Sequence, residues 1–83
     1  MKEIAYSKQS LKTLRRMPPD LAKKIMAKVS QYAHDPAAQA NNIKALKDSA
    51  YIRLRVGDWR VIMDDQGNVL NVLKIGARGD VYD

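Results

Sequence analysis

Residues 51–64, YIRLRVGDWRVIMD, carry the pattern that decides the fold of this chain. Apolar and polar side chains alternate on both sides of the Gly57-Asp58 pair, which is typical of two strands that each bury one face. Glycine can supply the positive φ that the first position of a two-residue turn needs. The stretch therefore predicts a β-hairpin with its turn at residues 57–58.

The register of this hairpin gathers arginines on one face. A turn at residues 57–58 pairs Val56 with Trp59, so that Arg55 lies opposite Arg60 and Arg53 lies on the same side. Like charges that face each other across a sheet repel, but a slip of one residue would bury the guanidinium groups instead. We expect helices to cover the apolar face and the arginine face to stay open. The guanidinium groups on that face are rigid and permanently charged, and their two parallel N–H donors suit a phosphate.

The rest of the chain predicts an α+β fold. Ser7 is placed to cap a helix, and the Pro18-Pro19 pair ends that helix and starts the next. Residues 35–50 lack a clear period, and we expect mostly loop there, with Ile43 and Leu46 turned inward. The predicted elements are strand 3–6, helix 8–17, helix 19–33, and strands 51–56, 59–64 and 69–75.

This β-α-α-β-β-β order predicts an N-terminal helical hairpin packed on one face of a mainly antiparallel four-stranded sheet. With 83 residues, we expect a single domain over residues 1–83. Simple alternation places Val69, Leu73 and Ile75 on the arginine side of the last strand. That patch is too large for the surface of a stable monomer, so we expect a protein partner to cover it, with self-association through the same patch as the alternative.

Composition narrows the function further. A formal net charge of +6 favours polyanionic partners such as nucleic acid or an acidic protein. The chain has no cysteine, which excludes disulfides and thiolate metal sites. No apolar run could span a bilayer and the N-terminus is not a secretory signal, so we expect a cytoplasmic protein without membrane contact. We expect neither a metal nor a cofactor.

The last eight residues, GARGDVYD, add two groups to the arginine face. Gly76 and Gly79 allow a bend that would return Arg78 toward the sheet, and Tyr82 follows four residues later. Arginines with a phenol and no metal ligands suit RNA cleavage in which the ribose 2′-hydroxyl attacks its own phosphate. Such a site must orient the nucleophile, stabilise the charged phosphorus and assist proton transfer.

These segments together resemble the RelE/ParE superfamily of bacterial toxin–antitoxin proteins, and within it the RelE branch. The resemblance covers essentially the whole chain, through LRRMPPDLAKKI, YIRLRVGDWRVI and the ending VLKIGARGDVYD. RelE-type toxins are mRNA endonucleases that act in the ribosomal A site without metal. The resemblance implies the same activity here, with a cognate antitoxin, the ribosome and mRNA as partners, and operator DNA reached through the antitoxin complex.

Carried over by position, the resemblance implies a catalytic set of Arg53, Arg60, Arg78 and Tyr82. Arg60 and Arg78 would hold the scissile phosphate, Arg53 would add charge, and Tyr82 would orient or deprotonate the hydroxyl or stack on a base. Asp80 is a candidate general base, beside Lys47 and Tyr82. The residues we expect to bind RNA outside that set are Arg55, Lys47 and Lys74.

Two alternatives on the same fold stay open. One is a ParE-like inhibitor of DNA gyrase, a binding protein on the same fold, although those relatives generally lack the arginine–tyrosine set. The other is a catalytically inactive toxin retained for binding with its antitoxin.

Overall fold

The computed structural model describes residues 2–46 and 50–77 of the chain. Its elements are β1 (Glu3–Tyr6), α1 (Lys8–Arg16), α2 (Pro19–His34), a 3₁₀ helix (Pro36–Asn42), β2 (Ile43–Ala45), β3 (Ile52–Val56), β4 (Trp59–Asp65) and β5 (Val69–Ala77). The strands form one mixed sheet in the order β1-β5-β4-β3-β2. β1 runs parallel to β5, and the other three pairings are antiparallel.

The α+β class and the helical hairpin are confirmed, but the sheet has five strands instead of four. The additional strand is β2, within the stretch expected to be mostly loop, and the 3₁₀ helix precedes it. The three residues of β2 are too few to show a two-residue alternation in the sequence. The strand is defined by its pairing with β3, in which Ile43 lies opposite Leu54 and Ala45 opposite Ile52. Tertiary pairing, not local pattern, makes this segment a strand.

The hairpin register is confirmed residue by residue. Gly57 has a φ of 59°, which is the left-handed conformation that the turn requires. Val56 pairs with Trp59, and Arg55 lies directly opposite Arg60. The sheet therefore buries one face of β3 and β4 and leaves their arginines on the other.

The main core lies between that buried face and the two helices. Ile25 and Val29 of α2 and Leu54 and Met63 of the sheet are fully buried. Burial of each such side chain contributes about 1.5–3 kcal/mol before the entropy cost of ordering it. A core of this kind holds the register of β3 against β4, because a slip would exchange apolar side chains for charged ones.

A β-bulge interrupts β5 and corrects the predicted faces of that strand. Ile62 pairs with Lys74 and Met63 with Val72, so Leu73 is the additional residue. Strict alternation put Ile75 on the arginine side, which is wrong: the bulge turns it into the core, where it is 1% exposed. The same shift turns Lys74 onto the arginine face, opposite Ile62.

The start of α1 is anchored on this bulge. The Ser7 hydroxyl donates to the Leu73 carbonyl oxygen at 2.7 Å and accepts from the Ser10 amide at 3.1 Å. The Ser7 amide donates to Val72 O at 2.9 Å, and the fully buried Ser10 hydroxyl lies 2.9 Å from the Ser7 carbonyl oxygen. The cap predicted at Ser7 thus has a second role, because it satisfies a carbonyl that the bulge takes out of the ladder.

A second polar cluster ties α2 and the N-terminus to the β4–β5 turn. Tyr32 Oη donates to Asp65 Oδ2 at 2.8 Å, and Lys2 Nζ lies 3.1 Å from Asp65 Oδ1. Burial, with the bond and negative charge of Asp65, raises the pKa of Tyr32 to about 12. Burial alone would raise the pKa of Asp65, but hydrogen bonds from the Gly67 amide, Tyr32 and Lys2 outweigh it and hold that pKa below its ordinary value.

We expect Ser7→Ala to lower the free energy of unfolding by about 1–2 kcal/mol, since it removes the cap and leaves the Leu73 carbonyl without its donor. Ser7→Asp separates the two effects: an ionised carboxylate can cap the helix but cannot donate to that carbonyl. Chemical denaturation of both variants measures the change in the free energy of unfolding. Ser30→Ala is the control, because it removes a half-buried helical hydroxyl elsewhere. A cost for Ser7→Ala no larger than that of the control would contradict the role of the anchor.

We expect Tyr32→Phe to destabilise the fold by about 1–2 kcal/mol at neutral pH. The folded-state pKa lies near 12 and the unfolded one near 10, so the contribution of the phenol is complete below pH 10 and is lost as pH rises toward 12. The difference in unfolding free energy between wild type and variant should therefore shrink across that interval. Denaturation at a series of pH values tests this, with Tyr51→Phe as the control at an exposed tyrosine; a pH-independent difference would contradict it.

Candidate nucleic-acid interface

The sheet face opposite the core carries five basic side chains from four strands, and we call it the basic face. Its members are Lys44, Arg53, Arg55, Arg60 and Lys74. Lys44 pairs with Arg53, Arg53 with Ile62, and Ile62 with Lys74, which gives one row across the sheet. The Arg55–Arg60 pair forms the next row toward the hairpin turn. Neighbours in such rows lie within about 5 Å of each other at Cβ.

Each of the two opposed arginines has a local hydrogen-bond acceptor of its own. Arg60 Nη1 donates to the carbonyl oxygens of Gly57 and Trp59, each at 3.0 Å, so its guanidinium stays at the hairpin turn. Arg55 Nη2 lies 3.5 Å from Asn42 Oδ1, at the end of the 3₁₀ helix. These contacts turn the two forks toward different neighbours and reduce the repulsion that direct opposition would produce.

A small hydrophobic cluster lies among the cations, which corrects the expectation of a wholly open face. Ile62 is 7% exposed and Leu46 is 5% exposed, and half-buried Leu73 packs against them. Leu46 is turned inward as predicted, but against the basic face instead of the main core. Its amide donates to the Tyr51 carbonyl oxygen at 3.0 Å, which extends the β2–β3 pairing. The cluster gives the basic face an apolar centre.

Two clefts open along the edge of the basic face and meet at Arg55 and Asn42. The smaller, of about 280 Å³, is lined by Asn41–Lys44, Arg53 and Arg55. The larger, of about 580 Å³, lies between α2 and the hairpin turn, and we call it the α2 cleft. Its lining comprises Lys24, Lys28, Asn42, Arg55, Val56, Gly57, Asp58 and Arg60. The lining of the α2 cleft is mostly polar, as an anion site requires, whereas that of the smaller cleft is evenly divided between polar and apolar surface.

A third groove, of about 420 Å³, lies at the end of β5 beside α1. Trp59 and Met17 contribute to its lining, and Lys74 and Arg16 add positive charge. Trp59 also packs against the main core, as its register predicted. This indole is therefore shared between the core and a surface groove.

The structure brings together four of the predicted site residues and leaves the others outside its described part. Arg53, Arg55, Arg60 and Lys74 share the basic face. The remaining ones, Lys47, Arg78, Asp80 and Tyr82, lie outside residues 2–46 and 50–77. Their convergence on this face stays a prediction.

Three lysines of these surfaces were missed by the sequence analysis. Lys44 belongs to the basic face only because β2 pairs with β3, and no local pattern marked that strand. Lys24 and Lys28 lie on the side of α2 that lines the α2 cleft. Their four-residue spacing signals one helix face, whereas the hairpin turn that meets this face is a tertiary feature.

Among residues 2–46 and 50–77, few acidic groups lie around these surfaces. Asp58 lines the α2 cleft, and Asp64 accepts from Gln66 Nε2 at 2.6 Å beyond the arginine rows. Within the described ranges, no group of three or more histidine, aspartate or glutamate side chains could hold a metal ion. Across the same ranges, no helix is long and apolar enough to cross a membrane.

Comparison with solved structures identifies the fold. A chain of the archaeal RelE–RelB complex from Pyrococcus horikoshii OT3 matches with a TM-score of 0.77 and 22% identity, over 96% of this chain and 98% of that one. The isolated RelE toxin of E. coli matches with a TM-score of 0.71 and 15% identity, over 94% and 85%. YafQ from E. coli BL21(DE3) matches with a TM-score of 0.66 and 19% identity, over the full length of both chains.

Sequence comparison places the chain in a family. A search of curated protein sequences finds no match. The family model described as ParE toxin of type II toxin–antitoxin system, parDE, matches residues 4–82, nearly the whole chain. With the RelE-like fold, this match shows that the protein is a toxin of the RelE/ParE superfamily and belongs to the ParE toxin family of type II toxin–antitoxin systems.

Proposed function

We propose that this toxin is an endoribonuclease that cuts mRNA on the ribosome by attack of the ribose 2′-hydroxyl. The observation that carries the proposal is the basic face, where Arg53, Arg55, Arg60 and Lys74 surround Ile62 on an otherwise tightly packed sheet. A protein of this size gains no stability from opposed like charges. An anionic ligand explains why they are there.

The chemistry suits these groups. The 2′-hydroxyl is already attached to the reacting phosphate, so the protein's main tasks are to align it and to stabilise the negative charge that develops on phosphorus. Arginine keeps its charge at any physiological pH and can donate two parallel hydrogen bonds to phosphate oxygens. The low acidity of arginine leaves proton transfer to other groups.

The proposed roles follow the sequence prediction. Arg60 and Arg78 hold the scissile phosphate, and Arg53 adds positive charge beside it. Tyr82 orients or deprotonates the hydroxyl, or stacks on a base, and Asp80 is a candidate general base. Arg55, Lys47 and Lys74 bind the RNA on either side of the cut.

An antitoxin is the proposed protein partner, with operator DNA bound through the toxin–antitoxin complex. The solved structures of similar fold include complexes of RelE with RelB. In this chain Val69 and Leu73 remain half-buried on the side of the basic face, although Ile75 does not contribute. An acidic, amphipathic segment would cover these apolar groups and neutralise the neighbouring cations together.

The family match favours one further candidate. Because the matching family model is that of ParE toxins, inhibition of DNA gyrase is the second function to test. The same induction experiment distinguishes the two, since a gyrase inhibitor accumulates cleaved DNA–gyrase complexes and leaves mRNA intact.

We expect Arg60→Ala and Arg78→Ala each to reduce mRNA cleavage by about 10²–10³-fold, since each removes a donor to the charged transition state. Arg60→Lys keeps the charge but loses the fork, and should fall between the alanine variant and wild type. RNA ends mapped on translating ribosomes after tightly controlled induction give the measurement. A synthetic mRNA with a 2′-deoxynucleotide at the cut position should resist cleavage by the wild-type protein.

The matched control is Arg15→Ala, at an exposed arginine in the last turn of α1 that lines none of the clefts described above. Thermal unfolding of every variant separates loss of activity from loss of folding. Wild-type cleavage by both folded alanine variants would overturn the proposed site. Intact mRNA with accumulated DNA–gyrase complexes would replace the proposed function with the second candidate, and tolerance of the wild-type toxin without its antitoxin would indicate an inactive binder.

A further inference from the structure

The α2 cleft concentrates positive charge on a surface separate from the centre of the basic face. Lys24 and Lys28 come from one wall, and Arg55 and Arg60 come from the other. One carboxylate, that of Asp58, lines the same cleft. Among the described residues, four cations against one carboxylate leave a net positive charge in this concave, mostly polar space, whose walls concentrate the electric field on a bound ligand.

The two lysines of the α2 cleft are positioned by their helix. Lys24 and Lys28 are four residues apart on α2, so their side chains leave the same helix face about 6 Å apart along the axis. Ile25 and Val29, the residues that follow them, point about 100° further around the helix and are fully buried, which fixes the rotation of the helix. Within the described part of the chain, neither lysine forms an ion pair; the ion pair found there joins Lys2 and Asp65.

The size and position of the cleft indicate what it holds. A volume of about 580 Å³ accommodates one or two units of a sugar–phosphate chain, within the range of small-ligand sites. The cleft shares Arg55 and Asn42 with the smaller cleft that contains Arg53 and Lys44. Positive charge therefore continues from the basic face, past Arg55, to the lysines of α2.

We infer that the lysine wall of the α2 cleft binds the phosphodiester backbone of RNA as a second contact, in which Lys24 and Lys28 hold the strand beside the phosphate proposed for Arg60 on the opposite wall. The inference rests on the proposed function in taking RNA as the ligand of the basic face. RNA is favoured over an acidic polypeptide because the cations form a continuous track across two clefts, and a continuous chain of phosphates matches such a track. Contacts of this kind position a nucleic acid without reading its sequence.

The test is binding of the full-length protein to a single-stranded 2′-O-methyl RNA, which lacks the attacking hydroxyl and is not cut. Each phosphate contact on a single strand contributes about −0.7 to the slope of log K against log salt concentration. The double variant Lys24→Ala/Lys28→Ala should make that slope less negative by about 1.4 and weaken binding roughly tenfold at about 0.15 M salt. Fluorescence anisotropy over a salt series measures both quantities.

The matched control is Lys8→Ala/Lys12→Ala. These lysines are also four residues apart on an exposed helix face, that of α1, and the pair removes the same charge without touching the α2 cleft. Alanine favours helix at all four positions, so neither double variant should unfold. The charge-reversal variant Lys24→Glu/Lys28→Glu should weaken binding further than the alanine pair does.

The outcomes separate this inference from the proposed function. Equal slopes and affinities for the two double-alanine variants would overturn the inference, even if the wild-type toxin cuts mRNA. A weaker salt dependence of RNA binding in Lys24→Ala/Lys28→Ala alone would support the inference, even if the wild-type toxin cuts nothing. Equal RNA binding together with weaker binding of a polyglutamate peptide by the α2 variant would assign the cleft to an acidic protein and also overturn the inference.

Discussion

The β-bulge at Leu73 is the constraint on which the rest of the structure depends. One additional residue in β5 lets Val72 and Ile75 both face the core and sends Lys74 to the opposite face. The carbonyl that the bulge removes from the ladder accepts from the Ser7 hydroxyl, so the same irregularity fixes where α1 begins. The bulge thus determines both where α1 begins and which face Lys74 occupies.

The main core, in turn, holds the arginines together. Opposing Arg55 and Arg60 costs a few tenths of a kcal/mol to about 1 kcal/mol. A one-residue slip would relieve that repulsion only by exposing side chains such as Leu54 and Met63, each worth about 1.5–3 kcal/mol when buried. The free energy gained by burying the apolar face therefore exceeds the cost of the repulsion between the arginines. The fold can keep a repulsive cluster ready for an anion because its stability comes from elsewhere.

The basic face and the α2 cleft are built by different means. Cross-strand pairing gathers the basic face, and it combines four strands around the apolar centre formed by Leu46, Ile62 and Leu73. The α2 cleft depends on the approach of a helix to a hairpin turn, and Arg55 belongs to both surfaces. A single-stranded RNA bound at the basic face would reach the α2 cleft through a region of continuously positive electrostatic potential.

Several elements could be predicted from the amino-acid sequence: both long helices, the Ser7 cap, the hairpin turn and the pairing of Arg55 with Arg60. These follow from local rules, because a two-residue turn and one buried face leave a single register. Other features became visible in the folded chain alone: the faces of Lys74 and Ile75, the existence of β2 with Lys44, and the approach of Lys24 and Lys28 to the hairpin. A bulge, a three-residue edge strand and a helix-to-turn contact leave no period in the chain, since each depends on residues distant in sequence.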